Sequence, residues 1–396
     1  MTRRDLFYLS GRLVLTVTNI VIFLQYCLLT VTFDFAIVVT RVTNTRYQRV
    51  SNLSAKRITS QDVAKRAGVS RTTVSLVLNN VAGAQISQET RHRVIEMARV
   101  LGYVPDAAAQ ALASRRAQTI GLILTRSPRH IASDAFITQT LNGLIEVIHQ
   151  QGMRLLFDIV ETQHQKEAYL QLVRAKQIEG VLLSGPLFDD QALQALEETG
   201  FPTVLIGQIP ESDFCSVDVD NFSSAKSAVA HLLRLGHSRI ACITNAPAIY
   251  TAAAERLRGY KAALQAGGLP YDNDLVRYGD FDAQSGYEQM NELLDSKPLP
   301  SAVFVASDVV AFGAMAAIRE HGLAIPHDMA LVGFDDIPFA RFVDPPLTTV
   351  HLPALDLAIK SSEMLFQLIR RESPVERHIL LATQLVIRRS CGATGY

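Results

Sequence analysis

Between Thr59 and Asn79 the chain sets short polar side chains among small apolar ones: Thr59, Asp62-Val63-Ala64, Ala67-Gly68-Val69-Ser70-Arg71-Thr72-Thr73-Val74-Ser75-Leu76 and Leu78-Asn79. Thr59 can cap a helix, and Asp62, three residues on, suits that helix's positive end. Val63, Ala64 and Ala67 fall on one face of it. Gly68 then breaks it, since a tight helix-to-helix turn needs a residue that tolerates unusual backbone angles. Ser70 caps a second helix with Val74, Val77 and Leu78 inside and Arg71, Thr72, Ser75 and Leu76 outside. Those outer groups suit base edges: Arg71 can fork onto guanine, Thr72 can bond a base or a phosphate, and Leu76 can touch a thymine methyl. Two capped helices about a glycine turn read as a helix-turn-helix, whose second helix lies in the major groove of double-stranded DNA. A plain helical hairpin with a solvated outer face is the alternative.

The elements around this stretch support the first reading. A third helix is expected after Ser87, with Val94, Ile95, Ala98 and Leu101 inward and Gly102 at its end; its Arg91 and Arg93 either meet phosphates or form a solvated face. Charge is divided unevenly along a chain of 396 residues with no formal net charge. Residues 51–118 hold ten basic and four acidic side chains, residues 119–396 hold 22 and 32. A basic head on an acidic body is what a polyanion-binding module on a sensor shows.

From Thr119 on, short apolar runs alternate with amphipathic stretches such as Leu141–Gln150 and Ser224–Leu235. The strand-like runs are Ile120–Leu124, Leu155–Ile159, Gly180–Leu183, Thr203–Ile206, Ile240–Ile243, Ala302–Val305 and Ala330–Gly333. This is the βαβ pattern of parallel sheets covered on both faces, long enough for two lobes with a ligand cleft at the carboxyl ends of their strands. Phosphate-loop, dinucleotide, nucleophile-elbow and zinc-protease motifs are missing, so neither an enzyme nor a cofactor is expected. Cys27, Cys215, Cys242 and Cys391 lie far apart with no metal-ligand spacing; no metal is expected, and a reducing cytoplasm fits.

The head resembles the lactose-repressor (LacI/GalR) family of transcription regulators in the run just described and in Gly102-Tyr103-Val104-Pro105 followed by Ala109, Leu112 and Ala113. The resemblance implies an all-α helix-turn-helix headpiece in which Thr59, Ser70, Arg71, Thr72, Thr73, Ser75, Leu76 and Asn79 contact DNA. It also implies a hinge helix that forms against its dimer mate, where Ala109 keeps the helix slim and Leu112 wedges into the minor groove. Leu76 stands where some members have Arg, and Asp106 where Asn is common.

The body resembles the two-lobed, periplasmic-binding-protein-like (type I) α/β sensor of the same family. The resemblance rests on runs such as Arg256-Leu257-Arg258-Gly259-Tyr260, Gly279-Asp280-Phe281, Ser307-Asp308, Val332-Gly333-Phe334-Asp335-Asp336 and Pro346-Leu347-Thr348-Thr349-Val350. It implies a small-molecule effector, of which a sugar is the first candidate, held by Arg256 and Asp335, stacked on Phe281 and touched by Ser307, a position that is often Asn. Asp220 either reaches the cleft or caps the next helix, and Asp308 reads as a helix cap. The domains expected are 56–104 (headpiece), 105–118 (hinge) and 119–396 (effector binding and dimerisation). The assembly is a homodimer on a near-palindromic operator; a tetramer stays open, although no heptad tail follows Ile387.

Residues 1–55 do not fit this plan. Leu13 to Val39 is apolar enough to span a bilayer, with Arg3, Arg4 and Arg12 before it. It reads either as sequence upstream of the true start or as a membrane segment. A membrane-tethered solute receptor is therefore the rival to a cytoplasmic regulator, and the groove-reading helix argues against it.

Overall fold

The computed structural model describes residues 58–79, 83–104, 117–131, 134–160, 165–174, 177–188 and 190–393. The apolar N-terminal segment and the hinge positions Ala109 and Leu112 lie outside them. Among the described residues no helix is long and apolar enough to cross a membrane. The chain divides into two compact units, residues 1–110 and 111–396.

The first unit packs α1 (Ser60–Ala67), α2 (Arg71–Leu78) and α3 (Gln88–Leu101) around a core of Val63, Ala64, Ala67, Val74, Val77, Val94 and Ala98. Its fully buried centre is Ala and Val, which lets three short helices approach closely, and Leu78, Met97, Leu101 and Tyr103 pack around it. The Thr59 amide donates to the Asp62 carboxylate at 2.9 Å, and Ser70 Oγ accepts the Thr73 amide at 3.0 Å. Gly68 closes α1 at φ +67°, left-handed backbone that a side chain would strain. Arg93 donates Nε to the Ala67 carbonyl at 2.9 Å and so ties α3 to the end of α1.

The second unit is two α/β lobes. The first holds β1 (Thr119–Leu124), α4 (Ala135–Gln150), β2 (Arg154–Ile159), α5 (Gln165–Arg174), β3 (Gly180–Ser184), α6 (Gln191–Thr199), β4 (Thr203–Ile206) and β5 (Cys215–Val219). The second holds α7 (Asn221–Arg234), β6 (Ile240–Thr244), α8 (Thr251–Ala266), β7 (Val276–Tyr278), α9 (Ala283–Leu294), β8 (Ala302–Val305), α10 (Asp308–Glu320), β9 (Ala330–Asp335) and β10 (Thr348–His351). The chain then returns through α11 (Ala354–Ile369), which packs on α4. Its last two strands are divided between the lobes: β11 (His378–Leu381) extends the first sheet and β12 (Gln384–Val386) the second.

The sheet orders are β11-β5-β4-β3-β1-β2 and β12-β10-β9-β8-β6-β7, parallel throughout except at β12. Three passages of chain thus join the lobes, after β5, after β10 and between β11 and β12. Such a connection permits one lobe to turn against the other while each sheet stays intact. In the second lobe α9 and α10 cross at glycines: a Cβ on Gly286 would stand 1.9 Å from the Val310 carbonyl oxygen, and one on Gly313 1.7 Å from that of Ala283.

Candidate functional site

On α2 the structure exposes Arg71, Thr72 and Ser75 and leaves Leu76 half-buried beside them, because Val74 and Val77 take the inner positions of the same turns. The other expected DNA contacts are placed differently. Ser70 and Thr73 bond each other through their hydroxyls at 2.9 Å in the helix cap, and at the start of α1 the Thr59 hydroxyl donates to the Asp62 carboxylate at 2.7 Å. Asn79 ends α2 and donates Nδ2 to Ser75 Oγ at 3.1 Å. Arg71, Thr72, Ser75 and Leu76 face outward along α2, and the capping residues, of which Ser70 and Thr59 are also exposed, orient the helix that carries them.

The second unit holds a cleft enclosing about 750 Å³, part of it open to solvent. Its wall is built at the carboxyl ends of the strands of both lobes. Arg126 follows β1, Ser184 ends β3, Ile206 ends β4 and Asp218 lies near the end of β5; Asn245 follows β6, Phe281 follows β7, Ser307 follows β8 and Asp335 ends β9. Parallel strands leave their last residues and the following loops on one edge, so two sheets facing each other by that edge make such a pocket. The lobes are stitched at the same level. Tyr250 Oη donates to the Thr125 carbonyl at 2.8 Å, the Phe188 amide donates to the Ile249 carbonyl at 3.1 Å, and Arg129 pairs with Asp280.

Arg256, buried on α8, donates Nε to Asn221 Oδ1 at 2.8 Å and Nη1 to the Ala306 carbonyl at 2.7 Å. The same Nη1 stands 3.6 Å from Asp335 Oδ1, and the guanidinium lies 3.7 Å over the Phe334 ring. Burial pushes the Asp335 carboxyl up to about 7 against the opposing pull of Arg256, and pushes Asp218 up to about 6. Phe281 is held at φ +61° with the Arg126 guanidinium 4.3 Å from its ring centre and Tyr250 edge-on at 4.9 Å. Asp335 too has a positive φ, +117°. Left-handed backbone at a bulky aromatic and a β-strand end is strain of the kind that collects at binding sites.

Arg256, Phe281, Ser307 and Asp335 are thus brought to one cleft. Asp220 is not. It caps α7, accepting the Ser223 amide at 2.8 Å, and the carboxylate that reaches the cleft is Asp218, two residues earlier on β5. Asp308, expected as a helix cap, is not one. It is fully buried and accepts from the Ile337 amide at 3.0 Å and from Thr349 Oγ1 at 2.6 Å, while Ser307 takes the cap position of α10. Sequence reasoning missed Arg126, Asp134, Asn245 and Tyr250, which sit in loops or at helix starts where no periodicity marks them. Arg126 pairs with Asp134, whose other oxygen accepts the Phe136 and Ile137 amides at the start of α4. Two buried polar atoms of this wall have no hydrogen-bond partner: Arg126 Nε, a donor, and Asn245 Oδ1, an acceptor.

The family model described as "Bacterial regulatory proteins, lacI family" matches residues 59–106, and that described as "Periplasmic binding protein-like domain" matches residues 229–391. The HTH-type transcriptional regulator CelR of Thermobifida fusca is 35% identical over 338 residues, 85% of this chain and 98% of that protein. The HTH-type transcriptional repressor CytR of Escherichia coli (strain K12) is 32% identical over 337 residues, 85% of this chain and 96% of its own. Among solved structures, a CelR–cellobiose complex matches with a TM-score of 0.65 and 34% identity, covering 84% of this chain and all of that one. The lac repressor dimer bound to operator and the anti-inducer ONPF matches with a TM-score of 0.76 and 31% identity, over 85% of this chain and 100% of that one. These relatives are transcription regulators, not enzymes. With a helix-turn-helix in one unit and a two-lobed α/β cleft in the other, the chain belongs to the LacI family of DNA-binding transcription regulators.

Proposed function

We propose that this regulator is a repressor whose affinity for a near-palindromic operator is set by a sugar bound between the two lobes. The observation that carries the reading is the cleft wall itself, where a buried donor and a buried acceptor, Arg126 Nε and Asn245 Oδ1, wait beside an aromatic ring, Phe281. A hydroxylated ring supplies both complements at once, since each hydroxyl donates and accepts. CelR, solved with cellobiose, makes that disaccharide the first sugar to try.

In this reading residues 56–104 read DNA through Arg71, Thr72, Ser75 and Leu76, and residues 105–118 form the hinge with Leu112 as its minor-groove wedge. Residues 119–396 bind effector and a second copy of the chain. Arg256, Asp335, Ser307 and Phe281 hold the effector with Asp218, and Asp220 has the structural role described above. Binding between the lobes changes their angle, hence the spacing of the two hinges in the dimer. The protein acts in the cytoplasm, where its operator is.

Titrating operator-bound protein with cellobiose, lactose and related sugars tests this. One of them should change operator affinity by a factor in the range of about 5 to 150, and operator should change that sugar's affinity by the same factor. Operator binding that no sugar alters would refute the effector assignment.

A further inference from the structure

We infer that the effector of this protein is an uncharged polyhydroxylated molecule, and that the cleft discriminates against sugar phosphates and sugar acids. The inference rests on the sugar reading above and narrows it. The charged groups lining the cleft are two guanidiniums, Arg126 and Arg256, and three carboxylates, Asp134, Asp218 and Asp335.

Neither cation is free to neutralise a ligand. Arg126 is 5% exposed and paired with Asp134. Arg256 is 6% exposed, faces Asp335 at 3.6 Å, and spends Nε and Nη1 on Asn221 and the Ala306 carbonyl. Asp218 has no cation of its own; it accepts from the Val219 amide at 2.8 Å and from Asn221 Nδ2 at 3.1 and 3.2 Å. Three acidic groups thus share two guanidiniums, and each guanidinium already has a carboxylate beside it. A phosphate oxygen brought into it would lose its water and gain no cation, the least favourable way to bury an anion. Burial already drives Asp218 and Asp335 toward neutrality, so another anion beside them is opposed further.

The helix starts around the cleft agree. The first amides of α4 are taken by Asp134, and the Asp308 amide at the start of α10 serves Asp335. Among the described residues α10 and α11 bring their starts, at Ser307 and Leu352, to the cleft without a side-chain cap, as does α8 with Tyr250 to Ala252. There the Thr251 amide already donates to the Pro186 carbonyl at 3.2 Å, and no unpaired cation stands beside it. What remains unmet in the wall is one neutral acceptor, Asn245 Oδ1 (8% exposed at the residue), and one N–H of a guanidinium whose charge is already balanced, Arg126 Nε. Hydroxyls satisfy both; ionised phosphate oxygens can serve only the second, because without a proton they accept and do not donate.

The test is calorimetric titration of the purified protein with matched pairs: cellobiose, maltose, lactose, trehalose, glucose and ribose, each against its monophosphate, with glucuronate and gluconate added. The expected result is that at least one neutral sugar binds and its phosphate binds at least about 100-fold more weakly, some 2.8 kcal/mol by the conversion of about 1.4 kcal/mol per tenfold. A phosphate or sugar acid that binds as tightly as, or more tightly than, its neutral parent would overturn this inference and leave the sugar reading standing. If nothing in either set binds, the sugar reading falls, and this inference falls with it.

Discussion

Arg256 and Asp335 approach to 3.6 Å in the cleft of the second unit, yet the nearest bonds of that guanidinium go elsewhere, to Asn221 and to the carbonyl of Ala306. The pair is therefore part of the frame that joins α7, α8 and the end of β8, as well as part of the wall that a ligand meets. A group that holds both frame and ligand lets binding at the cleft alter how the lobe packs, which is what an allosteric effector site requires.

Arg256→Ala should abolish the sugar response while leaving effector-free operator binding within a few-fold. It should also destabilise the protein by about 3–5 kcal/mol, because Asp335 is left buried without its cation. The cost should be smaller at pH 6 than at pH 8, since a carboxyl already raised to about 7 by burial takes up a proton there. Operator titration with and without cellobiose, together with urea unfolding at the two pH values, checks this. A normal sugar response in the variant would contradict the pocket assignment.

Arg71→Ala removes an exposed side chain from the outward face of α2 and touches no core residue, so folding should be unchanged. Specific operator affinity should fall by about 1–3 kcal/mol, with relaxed preference at one base pair of each half-site. Selection of variant operators by the altered protein reads this directly. A loss equal on all sequences would assign Arg71 to a phosphate instead.

Gly286→Ala should be among the most damaging single-methyl changes in the molecule. The added Cβ would fall 1.9 Å from the Val310 carbonyl, which is backbone and cannot rotate away. Separating α9 from α10 should cost about 1–3 kcal/mol or more, seen as a lowered urea midpoint with an unchanged slope. Gly152→Ala, where no atom lies within 4 Å but φ is +68°, should cost only its backbone strain, of order 1–2 kcal/mol.

Asp218 links stability to pH. Its folded value, about 6, lies above the ordinary unfolded value of about 3.9, so between these limits the folded state binds more protons than the unfolded one. The stability it confers is complete below about pH 4 and is lost as pH rises through about 6. Unfolding free energies measured from pH 4 to pH 8 should carry this downward component, and Asp218→Asn should flatten it. A slope unchanged by that substitution would place the proton elsewhere.

The sequence made the reading helix legible because its caps, glycine and apolar spacing are all local, and each recurs in the structure with the expected partner. The seven apolar runs are strands: β1, β3, β4, β6, β8 and β9 lie inside their sheets, where a strand buried on both faces must be apolar, while β2 is a half-buried edge strand that is apolar all the same. The strands it left unmarked are β5, β7 and β10 to β12. Cys215-Ser216-Val217-Asp218-Val219 mixes polar residues into a strand, β7 and β12 have only three residues each, and the pairing of β11 with β5 joins segments about 160 residues apart. No local pattern encodes that.

The cleft was legible where a family motif names a residue and dark where tertiary folding makes the choice. Asp218 and Asp220 are two carboxylates in Asp218-Val219-Asp220-Asn221, and only the strand-to-helix transition after Val219 decides that the first lines the cleft and the second caps α7. Arg126 and Asn245 were invisible because each is a single polar residue just after a strand. Their standing shows only when the two lobes bring them to the same wall.

The most direct test of the account is selection of sheared genomic DNA from the source organism on the purified protein at near-physiological salt, followed by sequencing of what remains bound. The account predicts strong enrichment of a near-palindromic site with half-sites about one helical turn apart, released when an effective sugar is added. Binding that follows salt alone, with no enriched sequence, would contradict it, for it would mean that α2 grips phosphates and reads no bases.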